Sequence, residues 1–153
     1  MLTLRWLLAA VHLLAFGFAF ASIVARNRAL RRVAASWQSA DLPGVFRADA
    51  IWGVSALVLI TTGIVRAFGG FEKGGEYYLH APLFHLKMGA LALILVFELM
   101  PMMGLIRWRV TARRGMLPDL ARAPAYARIG HVQAALVVVI VFAAAGMARG
   151  VGL

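Results

Sequence analysis

The sequence contains no cysteine, which removes disulfides, thiolate metal sites and cysteine nucleophiles together. It has no glycine-rich phosphate loop and no pair of histidines at zinc spacing, so no phosphate cradle and no metal site is expected. Charge is scarce as well: charged residues make up 14% of the chain, against about 25% in a soluble domain. With 63% hydrophobic residues and a mean hydropathy of +0.84, a water-soluble core is excluded.

What is present is four long apolar segments, Trp6 to Ala25, Ala50 to Val65, Leu83 to Ile106 and Ile129 to Ala148. A membrane span needs about 20 mostly apolar residues, so the first, third and fourth qualify directly. The second is short. Between Asp49 and Arg66 a helix rises roughly 24 Å against a hydrocarbon core of roughly 30 Å. Either it thins the bilayer locally or Arg66 lies inside the membrane. The predicted architecture is an all-α integral membrane protein, one transmembrane domain over residues 1–153. It is an up-down-up-down four-helix bundle with helices at about 5–26, 49–68, 82–106 and 129–149. Helix one opens on a single arginine and lacks a small-residue cleavage site before its basic exit, so it is expected to stay as an uncleaved anchor.

Eleven of the 16 Lys and Arg residues follow helices one and three: Arg26, Arg28, Arg31, Arg32 and Arg47, then Arg107, Arg109, Arg113, Arg114, Arg122 and Arg128. The other five, Arg5, Arg66, Lys73, Lys87 and Arg149, belong to the opposite side. By the positive-inside rule, both termini face outside, and the expected location is the bacterial inner membrane. The net charge of +10 is thus a signal of orientation, and nucleic acid is not an expected partner.

Two basic stretches read as inner loops. Residues 27–48 carry Leu30, Val33, Ala34 and Trp37 at helical spacing opposite the arginines, then break at Asp41-Leu42-Pro43-Gly44. They form either an amphipathic stretch on the anionic leaflet or a solvated topogenic loop. Residues 107–128 are punctuated by Gly115, Pro118 and Pro124. Asp49 reads as a cap at the N-terminus of helix two.

Ionisable residues at membrane depth are costly and point to function. Here they are His12, Arg66, His85, Lys87 and Glu98, with His131 and Arg149 near helix ends. Counting rises from the inner ends places His12 roughly 21 Å up, Arg66 and Arg149 roughly 25 and 27 Å up, and Lys87 roughly 30 Å up. Lys87 and Glu98 fall within about 20° of one another around helix three. Ser55, Thr62 and Arg66 form one stripe on helix two, with Trp52 beside it. Glu98 is too deep to snorkel, so its face turns inward and carries Lys87 with it. Pro101 removes the amide that would bond the carbonyl of Phe97 and predicts a kink beside Glu98. Small residues, Ala15, Gly17, Ala19 and Ala21 on helix one, Gly53 and Gly63 on helix two, and Ala143 to Gly146 on helix four, predict close helix packing. Arg66, Lys87 and Arg149 either snorkel, with Glu72 and Glu76 neutralising two of them, or converge around His12.

The runs Asp49-Ala50-Ile51-Trp52-Gly53, Thr62-Gly63-Ile64-Val65-Arg66, Tyr77-Tyr78 through His80 and Pro82 to His85-Leu86-Lys87-Met88, and Met147-Ala148-Arg149-Gly150 carry a resemblance. The chain resembles a domain-of-unknown-function family of small four-helix bacterial inner-membrane proteins. On that family's pattern the matching polar positions are His12, Asp49, Arg66, Lys87 and Arg149. A more distant likeness, through Ala9-Ala10-Val11-His12 and His85-Leu86-Lys87, is to the CopD-type copper-resistance domain and the membrane protoporphyrinogen oxidase. That likeness implies haem b held by His12 or His85, with Lys87 on a propionate. The counted heights of roughly 33 Å for His85 and roughly 21 Å for His12 speak against a bis-histidine pair.

Three readings stay open, and with them whether the protein is an enzyme. The first is a binding or accessory protein with an outward-opening polar pocket, in which His12, Arg66, Lys87 and Arg149, with Glu98 beneath, hold an anionic or quinone-like amphiphile. The second is a haem-binding membrane oxidoreductase of porphyrin metabolism. The third is a scaffold subunit for partner membrane proteins. Possible ligands are accordingly a quinone, a porphyrin or a lipid.

Overall fold

A computed structural model describes residues 2–70 and 80–151. Among them are four long helices: α1 (Leu2–Ser36), α2 (Leu42–Phe68), α3 (Pro82–Arg113) and α4 (Ala123–Ala148). Each contains a window long and apolar enough to cross a membrane, and no strand occurs among the described residues.

All four extend beyond the predicted boundaries, and always at the arginine-rich end. α1 runs 35 residues, roughly 52 Å at 1.5 Å per residue and well beyond a roughly 30 Å core. Residues 27–36 contain neither glycine nor proline, so nothing stops the helix until Trp37, whose φ of 54° turns the chain. A short 3-10 turn, Ser39–Asp41, leads into α2, where Pro43 occupies the first turn and lacks only an amide that would be unpaired anyway. The anticipated break at Asp41 to Gly44 is thus a tight reversal between two helices. Likewise α3 continues through Pro101 to Arg113, Gly115 turns at φ 73°, and Pro124 opens α4. Both basic stretches are largely helical because their punctuating residues sit at ends, where they are tolerated.

The pairings fix directions. Arg26 near one end of α1 meets Asp49 early in α2, while His12 meets Thr62 late in α2. Glu98 and Gln133 join α3 to α4, and Arg26 to Gln133 joins α1 to α4. α1 therefore packs along both α2 and α4, and α3 packs along α4.

The interior has two apolar clusters. One, at the arginine-rich end, includes Leu30, Val33, Val45, Leu105, Trp108 and Tyr126. The other gathers Ala19, Ile23, Trp52, Ile94 and Val137. Leu30 and Val33 are fully buried against other helices, so the stretch read as either a leaflet-surface helix or a solvated loop is part of the core. Outside, Leu13, Leu57, Val96 and Phe142 are well exposed, while Arg26, Gln133 and Asn27 are buried. Polar groups inside and apolar groups outside are what a lipid solvent selects.

Close packing is uneven. Ala15, Ala19 and Ala143 are buried as expected. Gly17 and Gly53 instead have open space where a Cβ would sit. The glycines that admit a neighbour include Gly104, against the Tyr126 ring, Gly130, against the Asn27 amide, and Gly146, against the Leu83 side chain.

Candidate functional site

Between the two apolar clusters lies a polar layer drawn from all four helices. Arg26 of α1 sits at its centre with its side chain only 1% exposed. It falls on the stripe His12, Ala15, Ala19, Ser22, Ile23, Leu30 and Val33, whose spacings of three and four keep one helix face inward. Its Nη1 and Nη2 donate to Oε1 and Oε2 of Glu98 at 2.5 and 2.7 Å, a two-pronged pairing that matches the planar guanidinium. Nη1 also donates to Asp49 Oδ1 at 3.0 Å, and Nη2 to Gln133 Oε1 at 3.0 Å.

The rest of the layer completes these bonds. Gln133 donates through Nε2 to Glu98 Oε2 at 2.7 Å and to the carbonyl of Ile94 at 3.2 Å. Arg109 donates to Asp49 Oδ2 at 3.2 Å and to the carbonyl of Phe46 at 3.0 Å, with its guanidinium 5.2 Å from the Phe46 ring centroid. Two arginines face two carboxylates, so the layer carries no formal net charge, which is the condition for ions to persist at this depth. Its chemistry is that of a clasp.

Asp49 is therefore not a cap. It lies two turns into α2, a helix that begins at Leu42 because Pro43 and Gly44 fit its first turn, and it bridges Arg26 and Arg109. Glu98 does face the interior, as its depth predicts. Sequence reasoning missed Arg26, Arg109 and Gln133: the arginines were counted as orientation signals and the amide carries no charge to draw notice. The spacing held the clue, since Arg26 follows His12 by fourteen residues and Ala19 by seven on one inward stripe.

The chain matches, over residues 4–152, the model of a family described as predicted membrane protein (DUF2214). It belongs to that family. Among curated proteins and among solved structures nothing matches this family member.

The other predicted residues lie toward the opposite end. His12, half-buried, has Nδ1 2.7 Å from Thr62 Oγ1. The hydroxyl of Thr62 donates to the carbonyl of Val58 at 2.6 Å, so Nδ1 of the ring is the donor to Thr62. Gly63 lies against the ring, where a Cβ would make an ordinary van der Waals contact. Arg66 lies one turn beyond Thr62 and is half-buried, as is Lys87 near the start of α3; Trp52, Ser55 and Thr62 are buried on the same stripe of α2. Arg149 is exposed at the C-cap of α4, and His131 is exposed with Nδ1 2.7 Å from the carbonyl of Ala127. Glu72 and Glu76 lie outside the described residues.

His85 is exposed on the first turns of α3, its ring edge against Phe84 at 6.2 Å between centroids. No group of three His, Asp or Glu side chains that could hold a metal ion occurs among the described residues.

Proposed function

We propose that this protein is a small binding or accessory component of the bacterial inner membrane, up-down-up-down with both termini outside, that holds an anionic or quinone-like amphiphile at the end carrying His12, Arg66, Lys87 and Arg149. One observation supports it above the others. The polar pair of His12 and Thr62 lies on the α1–α2 contact, with Arg66 one turn further along α2, on the side of the clasp away from the arginine-rich end. Glu98 stands beneath it as part of the clasp, which ties the helices into a fixed frame. In sequence, that side of the chain has five cations, Arg5, Arg66, Lys73, Lys87 and Arg149, against Glu72 and Glu76. An excess of like charge near a low-dielectric bundle favours an anionic partner.

Mass spectrometry of small molecules that co-purify with the detergent-extracted protein tests this reading. A specific amphiphile retained by the wild type and lost from the Arg66→Gln/Lys87→Gln variant is expected. Equal retention by both would overturn it, and a Soret band abolished by His12→Ala would replace it with the haem reading.

A scaffold role has one observation of its own. Gly17 and Ala21, four apart, are both exposed, and Gly17 has open space around it. Small residues at that spacing let a second membrane helix approach closely.

A further inference from the structure

We propose that the groove between α3 and α4 at the arginine-rich end is a binding site for one anionic phospholipid of that leaflet. This goes beyond the function proposed above, which concerns the other end of the bundle. The groove encloses about 680 Å³. Met100 and Met103 line its upper part, Trp108 and Tyr126 its floor, and Arg107 and Arg122 its lower part.

The floor exists because Gly104 has no side chain. A Cβ there would collide with the hydroxyl and ring of Tyr126, which is buried and stacks obliquely on Trp108 at 5.4 Å between centroids. The two aromatic rings form a firm apolar base, and the flexible methionines above it adapt to a disordered chain.

The dimensions fit one leaflet. Along α3 the lining runs from Leu99 to Thr111, a rise of roughly 18 Å, against roughly 15 Å for half of the hydrocarbon core. Between Glu98 and Arg107, α3 has no charged residue. The upper part thus stays within the acyl region, and Arg107 marks the headgroup level. A groove apolar for roughly 12 Å along α3, from Leu99 down to Arg107, and cationic at its base has the polarity profile of a phospholipid.

The charge is available. Arg26 and Arg109 are engaged in the clasp, whereas Arg107 and Arg122 have no hydrogen-bond or ion-pair partner among the described residues, and both are exposed. Asp119, also in the lining, accepts the amide of Ala121 at 3.0 Å and shapes the turn before α4. Two arginines against one carboxylate leave the lining with one positive charge, which selects a phosphodiester without a compensating ammonium. Arginine suits this role because its planar fork matches phosphate oxygens.

Native mass spectrometry of the full chain released from detergent micelles, titrated with dioleoyl phosphatidylglycerol or dioleoyl phosphatidylcholine, tests the site. A one-to-one phosphatidylglycerol adduct is expected, with phosphatidylcholine retained at least tenfold less. Arg107→Gln/Arg122→Gln should abolish that preference, whereas Arg28→Gln/Arg31→Gln, which removes the same charge from exposed positions on α1, should preserve it. Met103→Trp, which fills the groove without touching its charge, should weaken retention by a similar factor. Equal losses in the two arginine pairs, equal retention of both lipids, or a dimer mass in place of the lipid adduct would each overturn the proposal.

Discussion

Arg26 and Glu98 meet through two parallel hydrogen bonds, at 2.5 and 2.7 Å, in the middle of a bundle whose outer surface is apolar. Each is the other's main counterion, so removing either leaves a largely buried charge. Glu98→Leu should therefore destabilise the protein by about 3 to 5 kcal/mol, the loss typical of breaking a buried pair. Arg26→Met/Glu98→Leu should cost less than the two single changes added together, because it leaves no orphaned charge between those helices. Reversible unfolding in mixed micelles measures all three, and simple additivity would mean that the pairing carries no coupling.

Asp49 is held from two sides, by Arg26 at 3.0 Å and by Arg109 at 3.2 Å, and its side chain is 19% exposed. Asp49→Asn keeps one acceptor oxygen, which serves Arg26 or Arg109 but not both, and Glu98 still balances Arg26. The same unfolding measurement should therefore give a smaller loss than Glu98→Leu. A larger loss would place the energetic centre of the clasp on α2 in place of α3.

Glycines of equal sequence prominence should behave in opposite ways. Gly104→Ala and Gly130→Ala drive a methyl into Tyr126 and Asn27, and an overpacked core loses about 1 to 3 kcal/mol. Gly17→Ala and Gly53→Ala enter open space and should be neutral or raise stability by up to about 1 kcal/mol, the difference in helix propensity. Thermal melts of the four purified variants separate the two classes.

The bond between His12 and Thr62 is a membrane hydrogen bond of ordinary geometry, 2.7 Å, and not an ion pair. Thr62→Val keeps the shape and removes it. The expected loss is about 0.6 kcal/mol, the average for such bonds between membrane helices. A loss several times larger would show that Thr62 orders the surrounding polar end as well as His12.

Orientation is open to reporter fusions. By the positive-inside rule, alkaline phosphatase joined at the C-terminus should be active, and joined at Arg114 inactive. The reverse pattern would invert the bundle in the membrane and move both proposed ligand sites to the opposite leaflet.

The sequence by itself determined that this is a four-helix membrane protein, because length and hydropathy are local properties and the cost of burying charge in lipid acts on each segment separately. It also determined which way Glu98 faces, since a carboxylate that deep has to turn inward. Only the tertiary structure decided what Glu98 faces. Residue spacing places Arg26 on the inward stripe of α1, but its partners stand 23, 72 and 107 residues away on three other helices, and their heights match only once the helices are packed. The same holds for the extent of the helices: Pro43, Gly44 and Pro124 look like breaks in isolation, and the packed ends use them as starts. It holds for the glycines too, which are alike in a sequence and differ only in what lies across from them.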